Sequence, residues 1–180
     1  MEYAIKLLQE TANETYGEAI SHLDHAIQTW YYLLEYNDIE LRVAGFWHDI
    51  GHSIAGTKRM MKNDIDLGAI NHEELGSELL QNVFNKRICE LIRQHTNAKR
   101  YMPDSNLSNA SQETLEYQGG EMDEYEKREF EANPLFDDII KLRRADNLAK
   151  NVNFLGNKTL YLLRAIDESY TCSLISSMVF

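Results

Sequence analysis

Proline and cysteine are nearly missing from this chain. Two prolines occur in 180 residues, against an average usage of roughly 5%. With so few breakers, long uninterrupted elements can form. The two cysteines, Cys89 and Cys172, form no CxxC pair, which argues against a disulfide framework and a zinc ribbon and for a reducing compartment. Positive charge is also short, with 18 Lys and Arg against 29 Asp and Glu, a formal net charge of −11. So acidic a chain is a poor partner for nucleic acid or an anionic membrane surface. A small anionic substrate stays open, because a pocket can be locally positive. No apolar run approaches the roughly 20 residues of a membrane span, and Met1–Lys6 lacks the layout of a secretory signal. The expectation is one soluble, cytoplasmic domain acting on a small molecule, with no signal for an oligomeric state.

The periodicity is helical. Ser21-His22-Leu23-Asp24 resembles a capping box with Asp at N3, and Leu23, Ala26, Ile27, Trp30 and Leu34 follow at helical spacing. This predicts a helix over about 21–36. A second begins near Asp38, carries Leu41, Ala44, Gly45 and His48, and stops before Gly51, read as a C-terminal glycine. Ser53 to Leu67 shows no clear period and is expected to be a loop. Asn71 is expected to cap a helix with Glu73 and Glu74 in its first turn. Further helices are expected from about Lys86, from about Ser111 to Gly119-Gly120, over about 123–132, from Pro134 to about Lys150, and over about 157–169, with a polar loop at 100–110. Almost no alternating pattern appears, so the fold class is all-α.

Four of the six histidines fall into a regular series with two aspartates: His25, His48-Asp49, His72, His95 and Asp146. His25 to His48, Asp49 to His72, and His72 to His95 each span 23 residues. That interval is one helix plus a turn, so successive helices each send a side chain to a common point, as metal-binding bundles do. Asp146 shares a face with Ile139, Leu142 and Ala149. A carboxylate there should be paired or bind metal, since an isolated buried charge costs several kcal/mol. Four imidazoles and two carboxylates suit iron, manganese, cobalt or nickel, with no thiolate to favour zinc. Six ligands are too many for one catalytic ion that must keep open positions. Two ions bridged by Asp49 fit the count, with His25, His48 and Asp146 on one and His72 and His95 on the other. His52 is expected to face substrate or support a ligand. His22, Arg143 and Arg144 are expected at the surface, the arginines alternatively as supporting charges.

This H…HD…H…H…D series resembles the HD-domain superfamily, which holds metal-dependent phosphohydrolases and a branch of mixed-valence di-iron oxygenases. Other segments are similar to the organophosphonate-cleaving members of that branch. His95-Thr-Asn-Ala-Lys99-Arg-Tyr101 resembles their HxxAKRY segment, and Ser111-Gln-Glu-Thr114-Leu-Glu-Tyr-Gln118-Gly-Gly120 their SxxTLxFQGG segment. Asn133-Pro-Leu-Phe136 and Tyr16-Gly17-Glu18 are similar as well, so the resemblance runs from about residue 12 to about residue 150.

The resemblance implies an HD-domain bundle with its metal core at about 21–150; the chain is expected to be that single domain over 1–180, ending in a helix and tail at about 157–180 that the resemblance does not reach. It implies two iron ions, Fe(II)/Fe(III), with O2 as co-substrate. The reaction would break the carbon–phosphorus bond of a 2-amino-1-hydroxyethylphosphonate-type substrate, giving phosphate and a carboxylic acid such as glycine. Asp49, His52 and Lys99 are then catalytic. Glu18, His52, Lys99, Ser111, Thr114 and Gln118 surround the substrate, with Glu18 on its ammonium, and Tyr16 gates the iron. Lys99 lies one turn beyond His95, and Ser111, Thr114 and Gln118 fall on one helix face, which agrees with these roles. The competing expectation is a phosphohydrolase acting on a nucleotide or small phosphate ester, in which the same six ligands hold two metals that activate water.

Overall fold

The apolar stripes pair into a helical bundle. The computed structural model describes residues 1–103 and 108–177. Among them are nine α-helices: α1 (Glu2–Glu10), α2 (His22–Tyr32), α3 (Ile39–Trp47), α4 (His72–Leu80), α5 (Lys86–Tyr101), α6 (Asn109–Tyr117), α7 (Glu124–Glu131), α8 (Phe136–Leu148) and α9 (Lys158–Ser177). Residues 104–107, the centre of the expected polar loop, lie outside the described residues. No helix among those described is long and apolar enough to cross a membrane.

Side-chain caps form at two of the starts that matter most, the first of them read from sequence. Ser21 Oγ accepts from the Asp24 N–H at 3.2 Å to start α2, and Asp38 Oδ1 accepts from the Leu41 N–H at 3.1 Å to start α3. Each such cap is worth about 1 kcal/mol. α2 and α3 then pack closely because Gly45 has no side chain: a Cβ there would lie 3.2 Å from Thr29 Cγ2 of α2 and 2.3 Å from Leu33 Cδ1 just after it. The core gathers Trp30, Leu33, Leu41, Val43, Trp47, Ile88, Leu91, Ile92, Ile139 and Leu142, all fully buried, each contributing roughly 1.5–3 kcal/mol or more.

α9 runs to Ser177, beyond the expected end near 169. It clamps the two helices that precede the His-Asp pair. Glu168 accepts from Trp30 Nε1 at 2.8 Å and from the Arg42 guanidinium at 2.8 and 2.9 Å, and Ser169 Oγ accepts from Trp47 Nε1 at 2.9 Å. α9 therefore anchors the core.

Several local expectations are corrected. A 3₁₀ turn at Ile50–Ser53 leads into the stretch expected as a loop, and that stretch holds an antiparallel hairpin, β1 (Arg59–Lys62) and β2 (Ile65–Ala69). Asn63 and Asp64 turn the hairpin, both left-handed at φ 48° and 66°, a geometry these residues tolerate. A bulge between Arg59 and Met61 breaks the alternation, which hides so short a hairpin from periodicity. Gly51 ends no helix in a left-handed cap. It lies within the 3₁₀ turn, where a Cβ would fall 1.9 Å from the His72 carbonyl oxygen. Its bareness lets the His-Asp turn press on the start of α4 and sets where His72 stands. Asn71 precedes α4 in a left-handed conformation, φ 57°, with no side-chain cap bond.

Candidate active site

The four histidines of the series converge, each at most 9% exposed. His25 comes from α2, His48 from the end of α3, His72 from the first residue of α4 and His95 from the middle of α5. Asp146 comes from α8, and Asp49 sits at the centre. Asp49 divides its two oxygens between two groups. Oδ2 lies 3.4 Å from His25 Nε2 and 3.3 Å from His48 Nε2. Oδ1 lies 3.4 Å from His72 Nε2 and 3.3 Å from His95 Nε2. Asp146 Oδ1 joins the first group, 3.1 Å from His25 Nε2 and 3.8 Å from His48 Nε2.

The backbone sets the tautomers. His25 Nδ1 faces the Ala149 carbonyl at 2.9 Å, His48 Nδ1 the Gly45 carbonyl at 2.8 Å, and His95 Nδ1 the Ile92 carbonyl at 2.6 Å. A carbonyl only accepts, so each Nδ1 carries the hydrogen, and in the neutral ring Nε2 is a bare lone pair. His25 and His48 point those lone pairs at each other across 3.3 Å, and at the carboxylates. His72 Nε2 and His95 Nε2 stand 3.0 Å apart. Such a cluster lacks positive charge at its centre. Protons on Nε2 are one source of that charge. Burial pushes the His48 imidazole down to about 4, while against the burial that lowers them Asp146 raises His25 and Asp49 raises His95. Burial would raise both carboxyls too, yet imidazoles so charged around Asp49, and His25 with Arg143 beside Asp146, hold them well below the usual carboxylate range.

Cations meet this need. Nitrogens 3.0–3.3 Å apart, each about 2.1 Å from a shared ion, subtend roughly 90–105° at it, which octahedral or tetrahedral ions accept. The donor set therefore fits metal. His72 Nδ1 and Glu73 Oε2 are buried without hydrogen-bond partners and lie 3.6 Å apart. A small approach would make them the carboxylate–histidine pair common behind metal ligands.

His52 behaves differently. Its Nδ1 accepts from the Ala69 N–H at 2.8 Å, so the neutral ring carries its hydrogen on Nε2. That atom lies 4.0 Å from Asp49 Oδ1. Asp49, His52 and His72 are close enough to hold an ion together, but this tautomer makes His52 Nε2 a donor and not a ligand. Burial, then the neighbouring His72, keep its pKa well below the ordinary value, so the ring stays neutral. Gly68 gives it room, for a Cβ there would lie 2.4 Å from the imidazole.

A pocket opens over the centre and brings the remaining candidates together: Tyr16, Glu18, His52, Lys99, Ser111, Thr114 and Gln118 all line it. Tyr16, left-handed at φ 47°, donates to the His52 carbonyl at 3.3 Å, with ring centroids 4.8 Å apart. Lys99 Nζ donates to Thr114 Oγ1. Its ammonium is pushed down to about 7 by burial and by Lys150 and Arg143 nearby. Gln118 Oε1 is buried with no hydrogen-bond partner. Ser111 Oγ donates to Glu18 Oε1 at 2.9 Å, so its proton is already committed.

Of three further lining residues, His22 departs from expectation, Arg143 takes the supporting role that was its alternative, and Lys150 is new. His22 is 5% exposed, packed near Tyr16 and His52, and burial lowers its pKa to about 4. Arg143 is 2% exposed and donates to Asp146 Oδ2 at 2.6 Å. Lys150, not singled out from sequence, donates to Glu18 Oε1 at 2.7 Å. The last two carried a signal: they lie three residues before and four after Asp146, spacings that share its helix face.

Comparison with known proteins agrees with this geometry. A family model described as HD domain matches residues 22–151. Hydroxymethylphosphonate dioxygenase of Gimesia maris is 34% identical over 152 residues, covering 81% of this chain and 75% of that protein. The glycine-betaine-forming 1-hydroxy-2-(trimethylamino)ethylphosphonate dioxygenase of Leisingera caerulea is 33% identical over 162 residues, covering 85% and 81%. An uncharacterised protein of Acanthamoeba polyphaga mimivirus is 37% identical over 180 residues, covering 92% and 81%.

Proposed function

The chain belongs to the HD-domain family, among its phosphonate dioxygenases, and on that premise we propose that it is a dinuclear iron oxygenase that cleaves a small 1-hydroxyalkylphosphonate. The observation that carries this reading is the division of Asp49, one oxygen toward His25 and His48, the other toward His72 and His95. His25, His48, Asp49 and Asp146 would hold one iron, and Asp49, His72 and His95 the other. Bound there, a mixed-valence iron pair supplies the redox chemistry that activates O2 and the Lewis acidity that draws in the substrate's oxygens.

The protein's own groups bind and orient the substrate. The Lys99 ammonium, steadied by Thr114, meets a phosphonate oxygen as a charge-assisted donor. His52 Nε2–H donates to a substrate oxygen and stays neutral while doing so. The Gln118 amide lies within the same wall, and Tyr16 closes the side next to His52. In the overall reaction the C1–P bond and a C1–H bond break, and both atoms of O2 enter the products. Hydroxyalkylphosphonate plus O2 becomes carboxylic acid plus hydrogen phosphate, with no external reductant.

The test is phosphate release by iron-loaded protein from hydroxymethylphosphonate and 2-amino-1-hydroxyethylphosphonate, in air and without O2, beside a panel of nucleotides and phosphomonoesters. Release only from a phosphonate, and only in air, supports the proposal. Turnover of the esters alone identifies a phosphohydrolase.

A further inference from the structure

If the chain is the phosphonate oxygenase proposed above, the Glu18–Lys150 pair bears on which phosphonate the pocket takes. Three donors converge on one carboxylate oxygen: Glu18 Oε1 accepts from Lys150 Nζ at 2.7 Å, from Ser108 Oγ at 2.8 Å and from Ser111 Oγ at 2.9 Å. Lys150 Nζ donates to Ser111 Oγ as well, closing a three-residue ring. The lysine comes from the turn after α8 and the glutamate from the loop before α2, 132 residues apart in sequence, so the pair is a tertiary feature of the pocket wall.

The charges around the pocket then match off. Arg143 is bonded to Asp146, Lys150 to Glu18, and Asp49 stands among the histidines. Lys99 has no carboxylate within salt-bridge distance among the described residues, and its partner is the Thr114 hydroxyl. Among the described residues the pocket thus offers one unmatched cation for an anion. Among the described residues it offers no unmatched carboxylate for a substrate ammonium. An ammonium arriving at Glu18 meets a lysine already seated there. It must lie beside Lys150 or displace it toward Lys99, and like charges approach in both cases.

We propose that Lys150 is a specificity-determining residue that fills the place of a substrate ammonium, so that the protein acts on 1-hydroxyalkylphosphonates whose tail carries no positive charge. Hydroxymethylphosphonate and 1-hydroxyethylphosphonate are the simplest of these. Glu18 accordingly serves to hold Lys150 and the Ser108–Ser111 turn, rather than to pair with substrate as the sequence resemblance implies.

The experiment measures kcat/KM for hydroxymethylphosphonate and 2-amino-1-hydroxyethylphosphonate with iron-loaded wild type, Lys150→Met and the double variant Lys150→Met/Glu18→Gln. Calorimetric Kd values for both compounds without O2 give a readout independent of turnover. Wild type should favour hydroxymethylphosphonate by about tenfold or more, and Lys150→Met should move the ratio toward the amine by about tenfold or more by freeing Glu18. The double variant should lose that gain, which a merely structural lysine would not produce. A wild-type preference for the amine overturns the inference, whether or not the variants fold, and so does a ratio that Lys150→Met leaves unchanged. If neither phosphonate is bound or cleaved, the proposed function itself fails, and the inference with it.

Discussion

Arg143 Nη1 donates to Asp146 Oδ2 at 2.6 Å, which turns the other carboxylate oxygen, Oδ1, toward His25 Nε2 at 3.1 Å. A guanidinium only 2% exposed therefore fixes the orientation of a proposed metal ligand and offsets its charge. Removing it leaves Asp146 free to rotate. Arg143→Met should weaken retention of metal about 10–100-fold, the usual effect of losing a group behind a ligand. Dialysis against graded chelator, followed by metal analysis, reads this directly, and Arg143→Lys should recover part of the loss. Unchanged retention in Arg143→Met would place the arginine outside the site.

Two irons per chain are expected, because Asp49 serves two separate groups of ligands. Asp49→Ala should lose both, His48→Ala mainly one, and His72→Ala the other. Iron analysis of each variant with Mössbauer spectra separates the sites. Active protein holding a single zinc or magnesium ion would contradict the dinuclear assignment.

Lys99 is the cation left for the phosphonate. Lys99→Ala should lower kcat/KM by roughly 10–1000-fold, the loss of a charge-assisted contact worth about 1.5–3 kcal/mol plus misplacement of the substrate, with iron content intact. Its pKa is lowered to about 7 by burial and by Lys150 and Arg143. The ammonium is present below that value and lost above it, so phosphonate affinity should fall as pH rises through about 7. Arg at this position stays charged. Lys99→Arg should therefore flatten that fall, and comparing the two proteins on one substrate cancels the substrate's own ionisation. Parallel pH profiles would show that Lys99 does not contact the anion.

Glu168 anchors α9 to the core through Trp30 and Arg42. Glu168→Ala strands a guanidinium that is only 9% exposed. It should cost about 3–5 kcal/mol, read as a lower urea midpoint at an unchanged slope. A loss within 0.5 kcal/mol, the level of an ordinary surface change, would mean α9 is held by its apolar contacts alone.

The His-Asp cluster is legible in the sequence because its spacing is a consequence of helix length. His25, His48, Asp49, His72, His95 and Asp146 say little one at a time, but a repeat of one helix plus a turn has few other physical causes. The end of α9 is hidden for the opposite reason. Its buried stripe is Ala165, Ser169, Cys172 and Ser176, small and polar side chains with little hydrophobic contrast, although their spacing is helical. The hairpin is hidden by its bulge, and α1 rests on only Ala4, Leu7 and Leu8. Arg143 lies on α8 and Lys150 in the turn that follows it, where inward and outward faces both carry charge. Which of them faces inward depends on where α2 and α5 lie, and that is a property of the packed bundle.

Oxygenase chemistry is tested most directly by measuring O2 uptake and phosphate release together in iron-loaded protein, with hydroxymethylphosphonate as substrate. About one O2 should be consumed per phosphate released, and no phosphate should appear without O2. Full-rate anaerobic hydrolysis of a phosphate ester, with no phosphonate cleavage in air, would contradict it.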